Sequence, residues 1–149
     1  MEPTRYLLVA TRFKRGYEAA CQPVCRQYGL LQIDFDVLAF LHNNPGFDTA
    51  RDIVELRMLQ KGNVSAAVER LIRAGLLSRH PDPADRRLIH LRLEPAAAPV
   101  LAEITAAQQE FGRRLLACLT PEERETYRRL TDKLAAASQS LAKGPETPC

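Results

Sequence analysis

Residues 61–93, KGNVSAAVERLIRAGLLSRHPDPADRRLIHLRL, change periodicity at Gly75. Up to Ala74 the apolar residues Val64, Ala67, Val68, Leu71 and Ile72 recur every three or four positions, which at 100° per residue places them on one helical face. Gly62, Asn63, Ala66, Glu69, Arg70 and Arg73 fall on or near the other face. After Gly75, residues 76–80 form a strand-like run, residues 81–87 are turn chemistry, and residues 88–93 alternate apolar with polar. The two runs predict an antiparallel ribbon, because a longer hairpin tip tolerates Pro where no ladder N–H is required.

Helices are predicted on both sides of this segment. Residues 6–28 form a first helix that stops at Gly29, and residues 34–42 a second, closed by Asn43-Asn44-Pro45-Gly46. Thr49, with Asp52 three positions later, starts a third helix that runs to about Arg57, and residues 58–60 turn the chain into the fourth. Downstream, residues 95–119 read as one long helix. Thr120-Pro121-Glu122-Glu123 opens the last one, with Thr as the cap, Pro at the first helical position and Glu at the third. Residues 143–149 are expected to be a flexible tail. The fold class is mainly α with a small β-ribbon.

Composition narrows the function. A chain of 149 residues, 46% hydrophobic and 26% charged, can bury the core of one compact domain. The apolar run 6–10 is broken by Arg12, Lys14 and Arg15 before a signal-peptide core forms, and no stretch is long enough to cross a bilayer, so the expected compartment is the cytoplasm. Residues 51–92 hold nine basic and five acidic side chains, a net of +4, while the rest of the chain nets −1. Basic charge gathered in one block suits a surface that faces a polyanion, although a solvated basic face gives the same count.

Helix, helix and ribbon in succession is the order in which a recognition helix enters the major groove of DNA and a β-tip reaches the adjoining minor groove. On the fourth helix, Gly62 and Ala66 allow close approach of the backbone, Asn63, Ser65 and Arg70 offer hydrogen bonds to bases or phosphates, and Lys61 and Arg73 offer charge. Without the ribbon an ordinary amphipathic helix would explain these residues as well. The tip Asp85-Arg86-Arg87 tilts the balance, because two adjacent exposed arginines add little stability, whereas arginine gains from the negative potential of a narrow minor groove. Asp85 can orient one guanidinium; Arg87 is assigned to the groove and Arg86 to a phosphate, and the two assignments are interchangeable.

The chain resembles the multiple-antibiotic-resistance regulator (MarR) family of winged-helix repressors. The residues that carry the resemblance are Phe35-Asp36-Val37-Leu38, Asp52-Ile53-Val54-Glu55, Lys61-Gly62-Asn63-Val64-Ser65, Val68-Glu69-Arg70-Leu71, Gly75-Leu76-Leu77, Asp85-Arg86-Arg87, Leu91-Arg92-Leu93 and Leu119-Thr120-Pro121-Glu122-Glu123-Arg124. The Asp-x-Arg wing is the most specific of them. The resemblance implies a winged helix-turn-helix DNA-binding lobe over residues 31–94, and a dimerisation region built from residues 1–30 and 95–142, where the first, fifth and sixth helices interlock. It implies a homodimer on double-stranded DNA at a pseudo-palindromic operator, released by a small-molecule effector or an oxidant. An effector would sit between the dimer helices and the lobe, for which Arg12, Tyr17 and His42 are candidates. The chain departs from the family at Met58, where a Gly is common, at Arg57, where an apolar residue is expected, at Leu31 and Asp34, where Thr and Gln are usual, and at residues 94–97.

The apolar positions Val100, Ile104, Phe111, Leu115, Leu119, Tyr127, Leu130, Leu134 and Leu141 form stripes with little else in the chain to cover them, which supports a partner subunit over a helical hairpin folded on its own domain. Cys21 and Cys25 lie one turn apart, with Cβ atoms roughly 5–6 Å apart where a disulfide needs about 3.5–4.5 Å. Small buried hydrophobes are the favoured reading of Cys21, Cys25 and Cys118, and a thiol-based redox sensor at Cys21 and Cys25 is the alternative. His42, His80 and His90 are isolated in sequence, and neither metal-ligand spacing, a phosphate loop nor a nucleophile motif is present, so no metal, cofactor or catalytic site is expected. A winged-helix protein-interaction module without DNA contact is the remaining alternative to a DNA-binding repressor.

Overall fold

The computed structural model describes residues 2–142. They form six α-helices and one hairpin: α1 (Pro3–Tyr28), α2 (Gln32–Asn43), α3 (Ala50–Arg57), α4 (Lys61–Arg73), β1 (Leu77–Pro81), β2 (Ile89–Leu93), α5 (Ala98–Leu115) and α6 (Pro121–Ala142), with a single 3-10 turn over Pro95–Ala97. The expected tail, residues 143–149, lies outside the described residues. The chain divides between Phe111 and Gly112 into two compact units.

In the first unit, Gly29 ends α1 in the left-handed region at φ 65° and returns its N–H to the Cys25 carbonyl, as a glycine stop should. The second helix begins at Gln32, two residues before the expected start, because Asp34 reaches back and accepts the Leu31 N–H at 2.9 Å. Thr49 and Asp52 close a reciprocal box at the start of α3: Thr49 Oγ1 accepts the Asp52 N–H at 3.1 Å and Asp52 accepts the Thr49 N–H at 3.0 Å. Met58 then turns the chain at φ 52°, the sole non-glycine residue among those described with a positive φ. A Cβ in this region costs about 1–2 kcal/mol, which is why Gly is the easier residue here.

Val64, Ala67, Val68 and Leu71 of α4 are buried as the periodicity predicts, against Phe35, Val37 and Leu38 of α2 and Ile53 of α3. The hairpin pairs antiparallel, with Leu77 opposite Leu93, Arg79 opposite Leu91 and His80 opposite His90. The first strand is shifted one residue from its expected place, because the Leu76 N–H closes the end of α4 on the Leu71 carbonyl. Val100 and Ile104 of α5 belong to this same core, so they need no partner subunit to cover them, contrary to the stripe expected from sequence.

The long helix expected over 95–119 is a 3-10 turn followed by α5, which stops at Leu115. Beyond Leu116 the N–H groups of Ala117 and Leu119 bond three residues back, to the carbonyls of Arg114 and Leu116, which tightens the chain into a turn; Pro121 keeps Thr120 out of helical geometry and so leaves it as a cap. The cap is reciprocal, Thr120 N–H to Glu123 at 2.8 Å and Glu123 N–H to Thr120 Oγ1 at 3.2 Å. Arg124 Nε closes the preceding turn by donating to the carbonyls of Leu116 and Leu119 at 3.1 Å each. Cys118 sits in that turn and is exposed, not buried as read from sequence. In this second unit α6 leaves Tyr127, Leu130, Leu134 (68% exposed) and Leu141 (79%) uncovered. Tyr6, Leu7, Leu8 and Val9 of α1 in the first unit are likewise uncovered.

Candidate nucleic-acid interface

Burying one face of α4 leaves the other to solvent. Lys61, Gly62, Asn63, Ser65, Ala66 and Arg73 are all exposed, and no atom would lie within 4 Å of a Cβ added to Gly62. Lys61 and Ser65 border a groove of about 390 Å³ between α3 and α4, opposite Arg51 and Glu55. Arg70 behaves differently from its neighbours. Its guanidinium grips Asp34 of α2, with Nη2 2.8 Å and Nε 3.1 Å from Oδ1, and Asp34 is 3% exposed. A buried carboxylate without a cation is costly, so this pair joins the two helices and occupies the side chain that the sequence assigns to DNA. Nothing in the local sequence announces it, because the partners are 36 residues apart.

The wing is organised by aspartates. Asp82 Oδ1 accepts the N–H groups of Ala84 at 2.9 Å and Asp85 at 3.0 Å, and Asp85 Oδ1 accepts the Arg87 N–H at 3.0 Å. Asp85 therefore shapes the backbone that carries Arg87. Arg86 and Arg87 are exposed, and neither has an ion-pair partner among the described residues. An ion pair between Arg79 of β1 and Glu69 of α4 ties the ribbon to the helix.

His90, isolated in sequence, lies between two carboxylates: Nδ1 is 2.7 Å from Asp48 Oδ1 and Nε2 is 2.9 Å from Asp82 Oδ2. These hydrogen bonds, the Asp48 bond foremost, hold the imidazole above its ordinary range. His90 in turn, with the Asp85 and Ala84 N–H groups, holds the Asp82 carboxyl below the usual carboxylate range.

Two cavities, of about 180 and 470 Å³, meet at Tyr17, Asp36 and Arg57. Tyr17 stacks edge-on to Phe35 and Phe111, with ring centroids 6.2 and 5.5 Å away, and accepts a hydrogen bond from Gln108 at 2.8 Å. Burial pushes its phenol up to about 12. Asp36 is buried on α2, which raises its carboxyl, while Arg57 Nη2 at 3.4 Å draws it back. The Gln32 side chain donates to Asp36 at 3.1 Å, and its buried Oε1 has no partner among the described residues. Of the three residues named from sequence for an effector, Tyr17 lines both cavities, whereas Arg12 and His42 are exposed and line neither. Asp36, Arg57 and Gln32 were missed as a set because Gln32 and Asp36, one turn apart on α2, meet Arg57 of α3 only when the two helices pack.

Cys21 and Cys25 are buried free thiols, and burial pushes both up, away from the thiolate form that reacts with oxidants. Among the described residues no cluster of three or more His, Cys, Asp or Glu could hold a metal ion, and no helix is long and apolar enough to cross a membrane.

Comparison with known proteins places these features in a group. Residues 28–88, which run from the end of α1 to the wing tip, match the profile of the MarR family. The HTH-type transcriptional regulator PecS of Dickeya dadantii is 25% identical over 136 residues, covering 90% of this chain and 82% of PecS. A probable transcriptional regulator from Pseudomonas aeruginosa is 28% identical with a TM-score of 0.66, over 85% of this chain and 94% of its own. BpsR of Bordetella bronchiseptica, whose structure concerns regulation of its DNA binding by 6-hydroxynicotinic acid, is 26% identical with a TM-score of 0.69, over 90% and 94% of the two chains.

Proposed function

We propose that this chain, which matches the MarR family profile over residues 28–88 and resembles HTH-type transcriptional regulators along most of its length, is a cytoplasmic homodimeric repressor of that family whose hold on a pseudo-palindromic operator is released by a small organic effector. The observation that carries the DNA reading is the pairing of an exposed, small and polar first half of α4 with a wing that carries two unpaired arginines. In this reading the start of α4, with Gly62, Asn63, Ser65 and Ala66, meets base edges in the major groove. Lys61 and Arg73 meet phosphates, and Arg86 and Arg87, aimed by Asp85, work at the minor groove. Arg70 serves this interface from behind, fixing α4 against α2.

The effector site is the pair of cavities around Tyr17, Asp36 and Arg57. Rings at Tyr17 and Phe111 suit a flat ligand, Arg57 suits an acidic group on it, and Asp36 with Gln32 Oε1 suits a donor. BpsR, with its hydroxylated pyridine acid, offers a relative with an effector of that size. A ligand that takes Arg57 from Asp36 acts at the last residue of α3, four positions before the start of α4. The apolar residues left uncovered on α1 and α6 are the surface that a second copy covers.

Selection of bound sequences from a random duplex pool tests the DNA reading. The expected product is a two-fold site with half-sites about one helical turn apart, and binding that weakens by orders of magnitude as salt rises from about 50 to 200 mM. Recovery of no preferred sequence, with binding no stronger than that of any mildly basic protein, overturns it.

A further inference from the structure

The chain around His90 runs from the body of the lobe to the wing tip. Asp48 precedes α3 and accepts the Leu91 N–H on its carbonyl at 2.7 Å. Its carboxylate meets His90 Nδ1 at 2.7 Å, and His90 Nε2 meets Asp82 at 2.9 Å. The other Asp82 oxygen holds the turn that leads through Asp85 to Arg87. An ionised carboxylate only accepts, and a neutral imidazole has a single N–H. Both contacts are hydrogen bonds at once only when the ring carries two protons, so the geometry itself selects the imidazolium.

We propose that His90 is a positioning residue for DNA binding, a protonated latch that fastens the wing to the segment leading into α3 and lets go as pH rises. The proposal rests on the reading of Arg86 and Arg87 as DNA contacts. Arg92, two positions along β2, and Arg86 and Arg87 of the turn form no ion pair among the described residues, with either carboxylate or any other, and the charged groups on the neighbouring elements are engaged elsewhere. His80 of β1, directly opposite, is 2.8 Å from Ser78; Asp52 and Glu55 of α3 bind Thr49 and Arg51; Asp34 and Asp36 of α2 bind Arg70 and Arg57. Arg79 of β1 pairs with Glu69. The two carboxylates at the ring therefore set its titration.

The sign follows from linkage. Because the folded His90 lies above its ordinary value, the stabilisation is whole below about 6.5 and is lost as pH climbs through the raised value. Asp82 is held below its ordinary value, so its share is present above about 3.9 and fails only as pH falls through the lowered one. Between those limits the latch is closed.

Nitrogen-15 NMR of the full chain from pH 5.5 to 9 tests the latch directly. The expected result is two protonated ring nitrogens on His90 at the acid end, a midpoint above that of a free histidine, and Asp85 and Arg87 amide signals that move with the same midpoint in the wild type and not in H90Q. In parallel, affinity for the selected duplex falls roughly three- to tenfold across that midpoint, the scale of one lost hydrogen bond, whereas H90Q is flat with pH at the weaker value. D48N, which keeps the ring, lowers the midpoint. A His90 midpoint at or below the free value, wing amides that do not follow it, or identical pH profiles for wild type and H90Q would each overturn the latch. Failure to recover any preferred duplex removes the DNA reading alone, and the ring and amide titrations still decide whether the wing is latched.

Discussion

Arg70 and Asp34 form a two-point ion pair, Nη2 to Oδ1 at 2.8 Å and Nε to Oδ1 at 3.1 Å, that joins the outer side of α4 to the start of α2. The same aspartate accepts the Leu31 N–H, so one buried carboxylate caps one helix and anchors another. R70A leaves that charge buried without its cation. The expected loss is about 2–3 kcal/mol in urea unfolding, below the range for a fully buried pair because the guanidinium is 39% exposed. Weaker DNA binding at unchanged stability would instead make Arg70 a direct groove contact.

Replacing Met58 with Gly relieves the left-handed backbone of the turn between α3 and α4. Relief of about 1–2 kcal/mol, offset by the greater freedom of Gly in the unfolded chain, gives M58G a net gain of about 0.5–1 kcal/mol. A shift of the urea midpoint to higher concentration with unchanged slope is the expected reading, and a lower midpoint refutes it.

For the wing, R87A is expected to lower duplex affinity by about 1–3 kcal/mol and flatten its salt dependence, without changing the melting temperature or the oligomeric state. Unchanged affinity in a gel-shift titration takes the wing out of the mechanism.

Leu134, 68% exposed on α6, is a surface group in the isolated chain and an interface group in the proposed dimer. Sedimentation velocity of L134E should show a monomer at concentrations at which the wild type is a dimer, with helicity retained by circular dichroism. A wild type that sediments as a monomer, or an L134E variant that remains dimeric, moves the interface elsewhere.

Local sequence signals located most of the fold. The box at Thr49 and Asp52, the Gly29 stop, the buried stripe of α4 and the cap at Thr120 each depend on residues within one or two turns, and each forms as read. The misplacements have equally local causes: Asp34 extends α2 backwards, and the turn closed by the Ala117 and Leu119 N–H groups ends α5 early, with Cys118 exposed in it. The side-chain partnerships were not legible. Arg70 with Asp34 and His90 with Asp48 span 36 and 42 residues, and no periodicity records which surface groups the tertiary fold will bring together. The same holds for Asp36 and Arg57 at the cavities, where each looks like a routine helix-surface charge until the helices pack.

The left-handed Met58 also bears on how motion passes through the lobe. Glycine at such a joint has a wide basin and would act as a loose elbow, whereas a residue with a side chain occupies a narrow one and keeps little slack. Any tug on Arg57 then arrives at Lys61 as a swing of the whole rod that follows, not as a bend soaked up in between.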